Sequence, residues 1–564
     1  MLDVLSRSQR GRMCEYRRGT ECLQTPAVLQ VGVAGTFGLT VSPAGRILRL
    51  FGAEITVDAP LLTSASSGIQ SQPRIKDGIA VLRLPLNGTE LIPADTEVVV
   101  IPNAFELRDD FRRLVDQVIK ARTVAGYGRL LCLLGIAEPA NAALLAYMGV
   151  DLVDDSFCRA AGINGIGLIS EAKLRTGKNE SAANTAELLR EIDKISTFIA
   201  AGRLRELVDQ RAPSSPYSVA ALRIFDDVGY DYQEEECAVD GGRFACNTTQ
   251  ALRRPDVRRY QQMIGERYRK PANKRILLLL PCSAKKPYHT SKTHKLFASA
   301  IHAAAHDTLV HEVIVTSPLG IVPRELDAFY PANAYDIPVT GQWKPEEINT
   351  IRMMLAQLLA QNHYDRVVCH LGEDAELVRG LCDMTETVIG DPVSPASLAN
   401  LDRVLREAAT GMDPVDYGVD RSETVRSALG FQFGRDVADA IMDEHTYAIG
   451  KYPYWKVLRE DPQDRSKRTQ LAMLSAERGM FSLTQDGAEI LAAMGKNIVE
   501  MTPFELKGSL FAVGVAKADH LLRIGDEAVI VCNGRVTGVG VAAMSGLEME
   551  QLHRGVAVKV RHKF

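Results

Sequence analysis

A chain of 564 residues, 46% apolar and 24% charged, has room for three or four domains at ~100–200 residues each. Its formal net charge of -4 excludes a globally basic nucleic-acid binder, so any such contact must rest on local basic patches. No apolar run reaches the ~18 residues of a membrane span, and Met1 to Arg12 is polar and basic with no apolar stretch behind it. The expectation is a cytoplasmic protein with reduced thiols and no membrane contact.

The first stretch, to about Ala172, alternates apolar runs with amphipathic segments. Glu97 to Pro102 and Leu130 to Leu134 read as buried strands. Between them Phe111, Leu114, Val115, Val118 and Ile119 recur at helical spacing. Strands alternating with helices predict a parallel sheet, open or closed into a barrel. Glu180 to Gln210, with Leu188, Leu189, Ile192, Ile195, Phe198 and Ile199, reads as a helical bridge, followed by loops around Pro213 to Pro216. A basic stretch runs from Arg253-Arg254 through Arg258-Arg259 to Arg267, Arg269 and Lys270, near Tyr260 and Tyr268. It reads as a phosphate-tracking surface or as a plain solvated helix.

A second α/β unit starts near Pro271. Ile276 to Leu280 is continuously apolar, as a central parallel strand requires, with Val313–Val315 and Val367–Cys369 as partners. Cys282-Ser283, Thr316-Ser317 and His370 follow these runs. Ligands of open parallel sheets bind beyond the carboxyl ends of the strands, so three strands are expected to deliver polar groups to one edge. After Gly411 the pattern turns α+β, with a helix from Val425 to Met442, then two strands and a helix between Thr469 and Leu491. From Asn497, strands at Phe511–Val515, Glu527–Val531 and Val536–Val541 with Gly-rich turns predict a small β-barrel.

The segment Pro281 to His294 concentrates reactive side chains directly behind a buried strand. A cysteine there becomes a better nucleophile if cations lower its pKa, and Lys285, Lys286, His289 and His294 are the candidates. A helix starting near Thr290 or Ser291 would add a positive N-terminal end. The competing reading is an inert core cysteine beside solvated lysines. The ten cysteines include no CxxC pair, and Cys237 and Cys246 have no close histidine, so neither metal nor cofactor is expected.

Pro281-Cys282, Lys286-Pro287-Tyr288, Ser291 and His294 fit the spacing PC-x3-KPY-x2-S-x2-H, which resembles the hallmark of archaeosine synthases, paralogues of archaeal tRNA-guanine transglycosylase. Thr316 to Leu326 and Tyr335 to Gly341 resemble the same family, and the resemblance runs over nearly the whole chain. It implies an α/β multidomain fold. Residues 1–255 would be a degenerate transglycosylase-like TIM barrel with a helical extension. Residues 256–412 would be a doubly wound α/β catalytic domain, 413–496 a small α+β C2-like domain, and 497–564 a PUA RNA-binding β-barrel. Gly11-Arg12 and Thr25-Pro26 fit the opening of a transglycosylase barrel, and Asp154 falls where its nucleophilic aspartate stands. Where transglycosylases carry Asp-Ser-Gly this chain reads Thr63-Ser64-Ala65-Ser66, and the Cys-rich zinc site is missing. One carboxylate of the pair that base exchange needs is gone, so Asp154 reads as a relic or structural group. Arg465, Lys467 and Arg468 lie in the C2-like part, and Lys559, Arg561, His562 and Lys563 would give the PUA-like end its local positive charge.

The resemblance further implies a substrate, tRNA whose D-arm carries 7-cyano-7-deazaguanine, and the conversion of its nitrile to an amidine. The amine donor would be lysine, glutamine or ammonia, with a radical SAM partner enzyme completing the modification. In this reading Cys282 or the donor amine attacks the nitrile carbon, and His294 moves the proton because a histidine titrates near neutrality. Lys286, Tyr288 and Ser291 orient the base or stabilise developing charge. The alternatives are an active transglycosylase that exchanges bases and a non-catalytic tRNA-binding subunit.

Overall fold

A computed structural model describes residues 2–33, 36–42, 45–57, 73–304, 306–464 and 466–564. The Thr63–Ser66 departure and Arg465 lie outside the described residues. Among the described residues no helix is long and apolar enough to cross a membrane.

The N-terminal region is built on a parallel sheet ordered Ala27–Leu29, Leu152–Asp154, Leu130–Leu133, Val98–Ile101 and Ile79–Val81, with Arg74–Lys76 as an antiparallel edge. Val98 to Ile101 and Leu130 to Leu133 are buried throughout, which is why they read as unbroken apolar runs rather than alternating ones. Phe111–Ala125 is the helix that the apolar spacing predicts. Asp110 caps it by accepting from Arg113 N, and Gly126 at φ 65° stops it. Among the described residues the sheet is open, ending at Ala27–Leu29 and Arg74–Lys76, where an eight-stranded barrel would close on itself. The helical bridge is two helices, Ser181–Ala200 and Leu204–Arg211, separated at Gly202. The expected loop at Pro216 is instead the first turn of the helix Pro216–Val228, capped by Ser215. Proline suits that position because the first turn has no partner for its missing N–H.

The middle sheet has the order Gly320–Pro323, Val310–Thr316, Ile276–Pro281, Arg366–Cys369 and Thr385–Glu386, all parallel except the first. Ile276 to Leu280 forms its centre and is fully buried. The chain leaves this strand through the helix Lys292–Ala303 to its neighbour on one side, and returns through Pro345–Gln361 to its neighbour on the other. Lys292–Ala303 packs on Pro395–Ala408, and Pro345–Gln361 on Pro255–Glu266, giving the helical pairs of a doubly wound unit. Strand order thus reverses about the strand that ends at Pro281, and such a reversal leaves a crevice at the carboxyl ends. A two-residue strand, Phe244–Ala245, pairs in parallel with Tyr335–Asp336 beside this unit.

Beyond Gly411 come the helices Tyr417–Phe433 and Arg435–Ile441, broken at Gly434. A four-stranded antiparallel sheet, Thr446–Ile449, Lys456–Glu460, Arg468–Ser475 and Met480–Leu483, follows, then the helix Gln485–Ala493. The last sheet runs in the order Leu510–Phe511, Val556–Lys563, Arg535–Ala542, Glu527–Cys532, Ile498–Met501 and Val515–Ala518. Its two outer strands are consecutive in the chain, joined by the turn Ala512–Gly514, so the sheet is a nearly closed barrel. The single strand expected over Phe511–Val515 is therefore a corner between two strands.

Candidate active site at the carboxyl edge of the middle sheet

The central strand delivers Cys282 to the crevice. Its neighbour delivers Thr316, because Pro281 is in register with Val315. Tyr288, fully buried, donates its hydroxyl to Thr316 Oγ1 over 3.1 Å and meets the Tyr335 hydroxyl, which itself lies 2.5 Å from Thr316 Oγ1. Tyr335 reaches this triad from the short strand Tyr335–Asp336. Lys286 sits over it, its Nζ 4.0 Å from the centre of the Tyr335 ring and 5.9 Å from that of Tyr288. Cys282 as a residue is half-buried at the edge of the core, unlike the fully buried Cys369 of the neighbouring strand.

Burial decides the charges here. It pushes the Cys282 thiol above its usual range, against the opposing pull of the Thr316 hydroxyl and of Lys286. The same burial holds Lys286 below the usual lysine range, although Cys282 and Asp336 favour its charged form. Four cations were candidates to activate Cys282, and Lys286 is the one whose charge acts on it. Lys285 is exposed. His289 turns to Asp327, with its Nδ1 2.8 Å from Oδ1 and its backbone N–H donating to Oδ2 over 2.7 Å. Cys282 is thus a thiol favoured in its neutral form beside a lysine held below its usual range, rather than a thiolate held by a ring of cations.

His294 does not sit as its residue type suggested. It is 1% exposed, and its Nδ1 lies 2.7 Å from Arg324 Nη2. Burial first, and the arginine second, depress its pKa to about 3, far from the neutral range that proton transfer would use. Arg324 also pairs with Glu312 and Asp327, and Asp327 accepts from the Tyr452 hydroxyl over 2.5 Å. His294 therefore belongs to the frame that holds the loop. Ser291, also buried, accepts from His294 N at 3.1 Å and caps the helix Lys292–Ala303, so its hydroxyl is spent on the backbone rather than on orienting a base. His370, at the third strand end, is fully buried between Thr387 Oγ1 at 2.7 Å and the Pro392 carbonyl at 2.9 Å, and adds no free group to the crevice.

Trp343 and Asp374 carried no sequence signal. The Trp343 indole donates to Asp374 Oδ1 over 2.8 Å, and the Asp374 charge bears on Cys282. The spacing of Trp343 from the Cys282 motif says nothing of this, because the tertiary fold makes the contact.

The other basic candidates are largely neutralised. Arg254 is buried and doubly bonded to Asp256, Arg259 is buried against Glu234 and three main-chain carbonyls, and Arg258 lies over Tyr230. Tyr260 and Tyr268 are core residues. Arg254, Arg258 and Arg259 thus serve the joint between the first two regions, whereas Arg253 and Arg267 stay at the surface. At the C-terminus, Lys559, His562 and Lys563 are exposed. Arg561 instead reaches across to the preceding sheet, pairing with the fully buried Glu527 and donating to the Leu483 carbonyl over 2.9 Å. Asp154 is fully buried and satisfied. It accepts from Gly135 N at 2.6 Å and from Ser156 Oγ at 2.5 Å, and burial pushes its pKa up to about 6.

A family model for a domain of unknown function (DUF5591) matches residues 257–405, and the model of the PUA domain matches residues 500–564. The chain is 32% identical over 512 residues to the archaeosine synthase subunit alpha of Methanosarcina acetivorans, covering 83% of this chain and 80% of that one. It is 31% identical over 472 residues to the archaeosine synthase subunit alpha of Thermoplasma acidophilum, covering 84% and 89%. A tRNA-guanine(15) transglycosylase of Methanobrevibacter smithii is 24% identical over 383 residues, 66% of this chain and 52% of that one.

Proposed function

This chain belongs to the archaeosine synthase family, and from that premise we propose that it is a tRNA-modifying transferase of archaeosine biosynthesis. Its substrate is tRNA carrying 7-cyano-7-deazaguanine in the D-arm, and it adds an amine donor, lysine in our reading, across the nitrile to form an amidine. A radical SAM enzyme then acts on the product. The observation that carries this is the half-buried Cys282 beside Lys286 on the carboxyl edge of a doubly wound sheet.

The chemistry follows from a thiol whose pKa is raised and a lysine whose pKa is lowered by the same burial. Lys286, neutral for a larger fraction of the time than a solvated lysine, takes the Cys282 proton as the sulfur bonds to the nitrile carbon. The proton passes to the nitrile nitrogen, giving a neutral thioimidate. The donor amine then attacks the same carbon, the carbon–sulfur bond breaks, and the thiol is restored. The net change is addition of one N–H across the nitrile. The Tyr288–Tyr335–Thr316 hydroxyl triad holds the loop that carries both residues. Trp343, anchored by its indole N–H to Asp374, is our candidate for the ring against which a flipped base packs. Residues 1–255 act as a transglycosylase-like scaffold, a degenerate TIM barrel in descent, 256–412 as the catalytic domain, and 413–496 as a C2-like spacer. Residues 497–564 act as the RNA-binding barrel, through Lys559, His562 and Lys563.

Nucleoside mass spectrometry after incubation of nitrile-bearing tRNA with the chain and lysine tests the reading. A lysine-sized mass gain on the deazaguanine is expected. Release of labelled guanine from unmodified tRNA would identify a base-exchanging enzyme instead. Tight tRNA binding with no mass change under any amine would identify a binding subunit.

A further inference from the structure

A cavity of about 290 Å³ lies where the N-terminal region, the middle unit and the C-terminal barrel meet, with Arg7, Arg203, Gly242, Arg243, Arg254 and Ala543 among its walls. Its basic groups are compensated except at the rim, Arg7 being bonded to Glu548 over 2.9 Å. Arg203 is paired with Glu206, and Arg254 with Asp256, which also accepts from the Tyr330 hydroxyl. Glu236 is fully buried, accepts from Tyr127 and Ser545, and is held toward its neutral form by burial and by Glu548. Asp240 stands 3.8 Å from Arg478. Two buried guanidinium nitrogens, Arg7 Nη2 and Arg254 Nη1, have no hydrogen-bond partner among the described residues. Both nitrogens are closed to solvent, so they add positive potential behind the wall and leave direct contact with an acceptor-rich ligand to the rim. Arg243 is exposed on the rim and makes no hydrogen bond or ion pair among the described residues.

The position of Arg243 links this cavity to the candidate active site. Arg243 immediately precedes the strand Phe244–Ala245, which pairs with Tyr335–Asp336 and so with the strand that supplies Tyr335 to the Tyr288 hydroxyl. It lies close enough to Lys286 for its charge to disfavour protonation there. Gly242 leaves the rim open, since a side chain added there would meet nothing within 4 Å.

We propose that this cavity is an RNA phosphate site, in which Arg243 holds a backbone phosphate adjoining the nucleotide presented to Cys282. The assignment rests on the tRNA-modifying reading and names where the backbone runs. An RNA phosphate fits better than a small free anion because the uncompensated cation stands at the mouth, beside the catalytic loop, rather than at the floor.

The test measures binding of unmodified tRNA by fluorescence anisotropy across salt concentrations, and needs no turnover. Loss of one phosphate contact should lower the slope of log Kd against log salt by about 0.9. With the two lines meeting at ~1 M salt, Arg243→Ala then binds about eightfold more weakly at ~0.1 M. Arg243→Lys should retain the wild-type slope, and Gly242→Glu should weaken binding by placing an anion at the mouth. An unchanged slope in Arg243→Ala together with wild-type binding by Gly242→Glu would overturn the site while leaving the modification reading intact. A shifted slope in a chain that never alters nitrile-bearing tRNA would keep the site and remove the chemistry.

Discussion

Arg324 Nη2 donates to His294 Nδ1 over 2.7 Å, and this contact settles the state of the histidine. A guanidinium is always a donor, so Nδ1 must accept and the ring is the neutral Nε2–H tautomer. A motif histidine next to a reactive cysteine thereby becomes part of the frame beneath it.

That state has a measurable stability signature. His294 is held near 3 in the folded chain, whereas an unfolded histidine titrates at about 6.5. Between these values the unfolded chain binds the extra proton, so the folded state loses stability as pH falls from ~6.5 towards 3, and loses none above it. The loss reaches at most ~1.4 kcal/mol per pH unit. Urea midpoints of the wild type and of His294→Gln should diverge in slope over that window and run parallel above it. Parallel curves throughout would show that the ring takes up its proton as readily in the folded chain as in the unfolded one.

Cys282 should react as a shielded thiol rather than as a thiolate. At pH 7.5 iodoacetamide should modify the exposed Cys22 ahead of Cys282, as peptide mass spectrometry can follow. Lys286→Met removes the cation that opposes burial and should slow Cys282 alkylation further. Faster labelling in that variant would show that the lysine shields the sulfur rather than sharing its proton.

Cys282→Ala should lower modification of nitrile-bearing tRNA by at least ~100-fold if the covalent route operates, given the usual size of nucleophile contributions. A variant that still modifies at a near-normal rate would leave direct addition of the donor amine as the route.

Arg561 and Lys559 stand two residues apart on one strand and should behave oppositely. Arg561→Ala strands part of the buried Glu527 carboxylate, leaving Arg478 at 3.5 Å and the Leu483 N–H, and should cost about 1–3 kcal/mol of stability. Its tRNA salt slope should stay as in the wild type. Lys559→Ala should leave the melting temperature unchanged and lower the slope by about 0.9. The reverse pattern would return Arg561 to the RNA surface.

Asp154 accepts two hydrogen bonds that an asparagine can also satisfy, one from Gly135 N and one shared with the Ser156 hydroxyl. Asp154→Asn should therefore keep the modification rate within about twofold, while Asp154→Ala leaves a buried Gly135 N–H unpaired and costs about 1–3 kcal/mol. A loss of modification in Asp154→Asn alone would show that the carboxylate still takes part in chemistry.

The sequence by itself determined the parts that depend on neighbours along the chain. The unbroken apolar run Ile276–Leu280 could only be a central strand, Ser291 could cap a helix at Lys292, and Cys282 had to emerge at the strand's carboxyl end. Only the tertiary structure decided which charges survive. Arg561 meets Glu527, Arg523 meets Glu234 and Arg7 meets Glu548 across separations no local pattern records, whereas Arg243 is left without an ion-pair partner among the described residues. Charge is a property of a residue, but its compensation and its burial belong to the folded neighbourhood, and these set whether a side chain binds, reacts or simply holds the frame.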